Sequence, residues 1–419
     1  MTDWLKRYSG WIALVVLAAL YYPWFGKGVD GVALYTGAGR CVLQAQTLLP
    51  CAPLFPYQPA LAALFIPLAV LPAALQKLVW YVVSVGSLVI TVRLAEAMAV
   101  QLYPGVTRGH NLIWLRATSL FVCSKFILLV LSYEAYDAPA LAIMTFGIWA
   151  LTAGRGALSG LSLGAAAAVR ATPLIYLPYL AIKRRALACV LFTVVFAALS
   201  FLPDLIGELK GGHASYFGDW VRQVVGPAVV PSAEPQAASF WFKWYGIPLD
   251  NQSLGGLVNR FVSAPVLGLS PKVILLLADA AFAAAVGALL LLSPRERKYA
   301  AIDGAVLLIA QLALSPMTSR YHFIFILPGI VLVVAAIICD RRLRLFGSIV
   351  LAASFILLTG TSNDLVGGRV TEFAYRYGFM IAGAIVLLAA FAAMLRPATA
   401  ADKKSDAAEY EELGSAVAR

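Results

Sequence analysis

The sequence predicts an all-α membrane protein, a polytopic bundle of about twelve transmembrane helices, and three observations carry that prediction. Of its 419 residues, 61% are hydrophobic and 13% are charged, where a soluble domain has about 25% charged. The mean hydropathy is +0.84. Apolar runs recur along nearly the whole chain, many approaching the roughly 20 residues that a span requires. No aqueous conformation hides so much apolar surface, which excludes a soluble enzyme and a disordered regulator. A nucleic-acid partner is excluded too, in spite of a pI of about 9.4.

The first element is the run 10–25. Lys6 and Arg7 precede it, but Tyr21, Tyr22, Trp24 and Phe25 follow where a cleavable leader would carry small residues, so it reads as an anchor. Further spans read at 77–93, 113–132, 138–153, 157–169, 173–182, 186–203, 273–292, 299–315, 322–339, 345–361 and 377–396. The stretch 157–182 is also compatible with a broken or re-entrant pair around Arg170 and Pro173.

The run 58–76 is apolar but interrupted by Pro59, Pro67 and Pro72. Charge decides how it lies. If it only dips into the outer leaflet, one side collects Lys6 and Arg7, Arg93, Arg108, Arg155, Lys183 to Arg185, Arg295 to Lys298, Arg341 to Arg344, and Lys403 with Lys404. That side is cytoplasmic, because basic residues accumulate there. If 58–76 crossed fully, every later cluster would move outside. The net charge of +11, from 32 basic and 21 acidic residues, is then mostly topology. The expected organisation is one transmembrane domain over 1–400, with outer loops 26–57 and 204–272, and a disordered cytoplasmic tail over 401–419. Short basic inner loops and long outer ones point to chemistry on the outer face of a bacterial cytoplasmic membrane.

Five cysteines occur. Cys123, Cys189 and Cys339 fall in spans and read as core residues. Cys41 and Cys51 share the first outer loop, where an oxidising compartment favours a disulfide; two unpaired buried thiols are the alternative. No Cys/His spacing suggests zinc, and no carboxylate cluster is built for another metal.

The first outer loop holds a single acid, Asp30, in Gly28-Val29-Asp30-Gly31-Val32-Ala33-Leu34-Tyr35. A lone carboxylate at an interface is either simply solvated or a general base for a hydroxyl nucleophile. A second cluster is Ser132-Tyr133-Glu134-Ala135-Tyr136-Asp137, preceded by Lys125 within a span. Intramembrane ionisable groups point to function because burying them is costly. Arg170, before Thr172-Pro173, lies deep in an apolar stretch. Unpaired, it suggests an anionic ligand such as phosphate; the alternative is an ion pair with Asp137 or Glu134.

The third cluster is Ser315-Pro316-Met317-Thr318-Ser319-Arg320-Tyr321-His322, where Arg320 and His322 make a candidate phosphate-binding corner. The other histidines, His110 and His213, fall in an inner and an outer loop. Asp279 and Asp303 are expected to pair with the basic group 295–298. In the long loop, Phe240-Trp241-Phe242-Lys243-Trp244-Tyr245 suggests a headgroup-level aromatic anchor or a sugar-packing surface. Asn251 and Gln252 offer amides suited to sugar hydroxyls, and Arg260 follows. Asn251-Gln252-Ser253 also matches a glycosylation sequon.

Three stretches together resemble glycosyltransferase family 87, of the GT-C superfamily. They are Asp30 to Tyr35 followed by Phe55-Pro56-Tyr57-Gln58-Pro59 and the proline-broken run to Pro72; Gly160 to Arg185, with Ala168-Val169-Arg170-Ala171-Thr172-Pro173; and Asn251-Gln252-Ser253-Leu254 with Arg260, then Leu314-Ser315-Pro316 leading to His322. The resemblance implies a twelve-span GT-C protein with an outward-facing site. It implies inverting transfer of a sugar, mannose first, from a lipid-linked polyprenyl phosphate donor to a glycolipid or glycan acceptor among membrane lipids, without a cofactor. It further implies Asp30 as the general base and His322 near the donor phosphate. Tyr35, Tyr57, Lys125, Glu134, Asp137, Arg170, Asn251, Gln252, Arg260 and Arg320 complete the expected substrate-binding set.

The sequence departs from the family pattern at three points. The basic residue before Thr-Pro is usually Lys and here is Arg170. The family's Tyr-Pro-Pro reads Tyr57-Gln58-Pro59. Its Gly-Gln-x-Asn turn is replaced by Glu134-Ala135-Tyr136-Asp137, beside the expected site. Two competing functions remain: an O-antigen ligase or polymerase, which would not depend on a first-loop acid, and a lipid-linked sugar flippase or transporter. The latter predicts repeated halves with midplane sites, and no repeat is apparent.

Overall fold

The computed structural model describes residues 19–226, 249–262 and 269–396. Its principal helices are α1 (Gly31–Leu43), α2 (Pro59–Leu64), α3 (Ile66–Ala69), α4 (Ala73–Leu102), α5 (Asn111–Ser132), α6 (Asp137–Thr152), α7 (Gly156–Val169), α8 (Tyr176–Ile182), α9 (Ala186–Ser200), α10 (Leu202–Leu209), α11 (Tyr216–Trp220), α12 (Leu254–Phe261), α13 (Pro271–Leu292), α14 (Ala300–Leu314), α15 (Leu327–Cys339), α16 (Arg341–Phe355), α17 (Asn363–Arg376) and α18 (Phe379–Met394). The chain is an all-helical membrane protein. In hydrocarbon a helix alone satisfies its own backbone, and the apolar composition leaves few other options.

Six helical stretches are long and apolar enough to cross a membrane: 73–102, 111–132, 186–209, 272–292, 320–339 and 341–360. The pair α17 and α18, bent by 68°, makes up to seven, and α6, α7 and the stretch 172–182 are apolar but shorter. The sequence count of about twelve is thus reached only in part among the described residues. Most of the first expected span, the Phe240–Tyr245 stretch and the 401–419 tail lie outside them. Within 58–76 the chain forms two helices of six and four residues, each far below spanning length.

The bundle has two chemically distinct ends. At one, Arg93 and Arg116 close on Glu96, with Arg116 Nε 2.6 Å from Oε1. Lys183 sits 3.2 Å from Asp303, which also accepts from the Tyr179 hydroxyl at 3.0 Å. Asp303 therefore pairs with Lys183, not with 295–298 as expected, because the return of α8 brings residue 183 beside the start of α14. Asp279 makes no ion pair among the described residues. The opposite end gathers Asp30, Lys77, Glu134, Asp137, Arg170, Asp250 and Arg320.

The 157–182 stretch is a broken pair. α7 ends where Arg170 turns extended (φ −146°, ψ 122°), and a 3-10 turn at Thr172–Ile175 leads into α8. Lys183 Nζ donates to the Ser293 carbonyl, and Gly154, just before α7, lies against Arg297. The pair thus leaves and returns to the same, basic end. Fourteen residues of α7 rise about 21 Å, short of the roughly 30 Å hydrocarbon core.

Small residues let α7 pack closely against α9. A Cβ on Gly160 would sit 2.4 Å from the Ala188 carbonyl oxygen, and one on Gly164 would sit 2.5 Å from that of Phe192. Close backbone approach through such small-xxx-small pairs substitutes for the hydrophobic drive that lipid removes. The centre of the bundle is α14 and 320–339. Ala300 to Ala313 are all buried, so this helix is apolar on every side except at Asp303 and Gln311.

Candidate functional site

Asp30 is the N-cap of α1, its Oδ1 accepting from the Ala33 N–H at 3.0 Å. A helix start leaves four N–H groups without partners, and a second carboxylate satisfies another of them: Glu134 Oε2 accepts from the Val32 N–H at 2.8 Å. The remaining oxygen of each acid faces the same cation. Lys77 Nζ lies 3.6 Å from Asp30 Oδ2 and 3.6 Å from Glu134 Oε1. The Asp30 side chain is 51% exposed and that of Glu134 is fully buried. Burial pushes the Glu134 carboxyl above the usual carboxylate range, while the Val32 N–H and Lys77 pull it back. Gly26, at φ +74°, allows the approach, since a Cβ there would meet Glu134 Oε1 at 2.1 Å. The loop also carries the Cys41–Cys51 disulfide.

Three residues along the same turn, Asp137 opens α6, fully buried, and Arg170 Nη1 donates to its Oδ1 at 2.5 Å. Of the two readings of Arg170, pairing with Asp137 is the one found. The guanidinium also donates through Nε to Thr172 Oγ1 at 3.0 Å and lies 4.7 Å from the Phe325 ring centroid. His322 completes this group. Its Nδ1 accepts from the Ser319 N–H at 3.0 Å, within a capping box that starts the 3-10 stretch. A neutral ring held this way carries its proton on Nε2, which lies 3.7 Å from Asp137 Oδ1. At that distance it makes no hydrogen bond, so the Nε2–H is a buried donor left for another acceptor.

A third group adjoins it. Arg320 Nε is 3.1 Å from Asp250 Oδ1, and its Nη2 donates to the Tyr133 hydroxyl at 3.3 Å. Lys125 Nζ donates to the Leu358 carbonyl at 2.8 Å, inside the π-helical turn Ile356–Gly360. Both cations flank the Tyr375 ring, at 5.7 and 5.8 Å. Tyr35 and Tyr57 pack edge-on with Tyr136, at 5.8 and 4.9 Å, and so line the wall between Asp30 and Asp137.

Asn251 and Gln252 sit elsewhere in this economy of contacts. Both are fully buried. Asn251 Nδ2 donates to the Pro316 carbonyl and its Oδ1 accepts from the Thr318 N–H. Gln252 Nε2 donates to the Leu249 and Tyr375 carbonyls. Arg260 Nη1 donates to the Asn251 carbonyl at 2.6 Å. These side chains staple 249–253 to the turn that delivers Arg320 and His322.

Sequence reasoning missed Lys77. The signal was present: a cation at the outer end of the 77–93 span breaks the positive-inside pattern that sorted the other basic residues. Thr172 and Gln311, linked at 3.1 Å, were also missed, being uncharged. Among the described residues, no three His, Cys, Asp or Glu side chains converge as metal ligands would.

The model of glycosyltransferase family 87 matches residues 55–316. A curated relative from Mycobacterium tuberculosis (strain CDC 1551 / Oshkosh), a polyprenol-phosphate-mannose-dependent alpha-(1-2)-phosphatidylinositol pentamannoside mannosyltransferase, is 27% identical over 274 residues. That alignment covers 65% of this chain and 57% of the relative, so the chain spans little more than half the relative's length. No solved structure matches the chain. Asp30, Arg320 and His322 fall outside the family-matched residues.

Proposed function

The chain belongs to glycosyltransferase family 87, and from that membership we propose that it moves a sugar, with inversion, from a polyprenyl phosphate to a hydroxyl of a lipid-linked or glycan acceptor. It is a membrane glycosyltransferase; donor, acceptor and sidedness are the proposal. The relative's dependence on polyprenol phosphate mannose makes mannose the first sugar to test. The shorter helices count as further passes of a GT-C bundle of about twelve spans. The site faces the periplasmic side of the cytoplasmic membrane, a reading supported by the basic residues at the opposite end.

In the proposed reaction Asp30 takes the proton of the acceptor hydroxyl as that oxygen attacks the anomeric carbon. The bond from that carbon to the phosphate oxygen breaks, and polyprenyl phosphate leaves with the electron pair. Charge on the departing phosphate falls to groups already fixed in place: the His322 Nε2–H, Arg170, Arg320 and Lys125. Preorganised donors of this kind stabilise developing charge without reorganising, and the proposal assigns no cofactor.

The observation that carries the reading is the Asp30 carboxylate. One oxygen is fixed by the Ala33 N–H, yet the side chain stays half exposed, as a base for an incoming hydroxyl must. The test supplies purified protein in lipid with labelled polyprenyl phosphomannose, phosphoarabinose and phosphoglucose and an acceptor extract. Wild type is expected to transfer from one donor, and Asp30→Asn to lose about 100-fold or more. Transfer from none refutes the donor class. Full activity in Asp30→Asn refutes the base and favours a ligase-type site.

A further inference from the structure

We propose that Lys77 is a positioning residue for the base, a cationic strut that holds the Asp30 carboxylate in its reactive orientation and is itself anchored by the buried Glu134. The proposal rests on the reading of Asp30 as the base.

The geometry divides the labour atom by atom. Asp30 Oδ1 is spent on the Ala33 N–H and Glu134 Oε2 on the Val32 N–H, so both carboxylates are pinned to the first turn of α1. That leaves Asp30 Oδ2 and Glu134 Oε1, and Lys77 Nζ stands 3.6 Å from each. Oδ1 already accepts from a backbone N–H and Oδ2 accepts from none, so Oδ2 is the oxygen assigned the proton here. Its direction is set by the cation beside it. A half-exposed aspartate would otherwise sample several rotamers, and an orientation error of about 1 Å at a reacting group can cost about 100-fold.

Capping the Val32 N–H engages one oxygen of Glu134, and its setting is otherwise a costly one. It is buried, it adopts a left-handed φ of +50° that a non-glycine residue occupies at a cost, and Gly26 leaves it room where any side chain would collide. Its backbone is clamped as well, because the Trp80 indole N–H donates to its carbonyl at 2.9 Å. Trp80 lies one helical turn beyond Lys77 on α4, so the acid that anchors the lysine is bolted to the lysine's own helix. The other ionisable groups on these segments are engaged elsewhere: Lys27 lies over the Trp24 ring, and Tyr133 accepts from Arg320.

The experiment measures kcat and KM for donor and acceptor in lipid for Asp30→Asn, Lys77→Met, Lys77→Arg and Glu134→Gln. Lys77→Met is expected to lose about 10- to 100-fold in kcat with each KM within about threefold of wild type. Lys77→Arg should recover to within about fivefold, since a guanidinium spans the same two carboxylates. Glu134→Gln keeps an acceptor for the Val32 N–H but not the charge, and should lose kcat by about three- to tenfold. A Lys77→Met enzyme at wild-type kcat, a loss confined to KM, or a loss that Lys77→Arg leaves unrelieved overturns the strut. Wild-type kcat in Glu134→Gln overturns the anchor. Full activity in Asp30→Asn instead condemns the base itself, a separable result.

Discussion

Removing Asp137 should unsettle the protein far more than removing Asp137 and Arg170 together. The pair lies at 2.5 Å with the aspartate fully buried and the arginine 7% exposed. At an effective dielectric of about 20, unit charges at that separation attract by roughly 6–7 kcal/mol. Desolvation of two ions costs several kcal/mol each, so the pair nets close to zero. The singles are different. Asp137→Ala leaves Arg170 buried against Phe325 and Tyr136, hydrogen-bonded to Thr172 but with its carboxylate partner gone, at a cost of about 3–5 kcal/mol. The double variant Asp137→Leu/Arg170→Met, which fills the space with apolar groups, should recover most of that. The assay is the apparent thermal midpoint in detergent, read as the folded fraction by gel filtration after heating. The single is expected on the order of 5–10 °C below wild type, with the double within a few degrees. Transfer activity should then separate the roles: the stable double must remain inactive if this pair, with His322, holds the donor phosphate. A stable and active double variant would refute that, leaving the pair purely structural.

Three further outcomes are expected. Gly160→Ala and Gly164→Ala should each lower the midpoint, because overpacking at 2.4–2.5 Å from carbonyl oxygens of α9 costs about 1–3 kcal/mol against a helix-propensity gain of at most about 1; a raised midpoint in either would refute the close packing of α7 on α9. Replacing Cys41 and Cys51 by serine opens a loop of sequence separation 10, worth about 3 kcal/mol by loop entropy, and should lower the midpoint as reductant does in wild type but not in the variant. Because burial raises the folded Glu134 carboxyl above its unfolded value, folding favours its protonated form. Its contribution to stability is complete below the unfolded value and is lost as pH rises through the folded one. The decline in midpoint from pH 4 to pH 7 should therefore be shallower in Glu134→Gln than in wild type, and equal slopes would refute the assignment.

What was legible in the sequence is what depends on depth along the membrane normal. The apolar runs, the break at Arg170 before Pro173, and the proline-split 58–76 stretch are each set by local composition and appear as helices, an extended break and two short helices. What was not legible is which helix faces which. Asp303 could be given a depth but not its partner, and the nearest basic group in sequence proved wrong; the return of α8 supplies Lys183 instead. Asn251 and Gln252 carry the right chemistry for sugar hydroxyls, but their amides close on backbone carbonyls of two other segments and of Leu249 in their own. Polar side chains in a spanning bundle are as valuable for satisfying backbone at a broken turn as for binding ligand, and residue type alone cannot tell the two apart.

The turn from Ser132 to Asp137 is where these threads meet, and its geometry bears on how the two halves of the site are coupled. Ser132 accepts from the Gly28 N–H through its carbonyl, Tyr133 accepts from Arg320, and Glu134 faces Val32 and Lys77. Tyr136 packs edge-on against Tyr57 and lies under Arg170, and Asp137 holds Arg170. Two carboxylates three residues apart thus each face one cation, one beside the proposed base and one in the proposed phosphate subsite. A displacement of this turn moves both carboxylates together. An uncharged turn in its place would strand Lys77 between Asp30 and solvent and leave Arg170 buried without an anion, so the acids here and the two cations facing them have to be exchanged as one set.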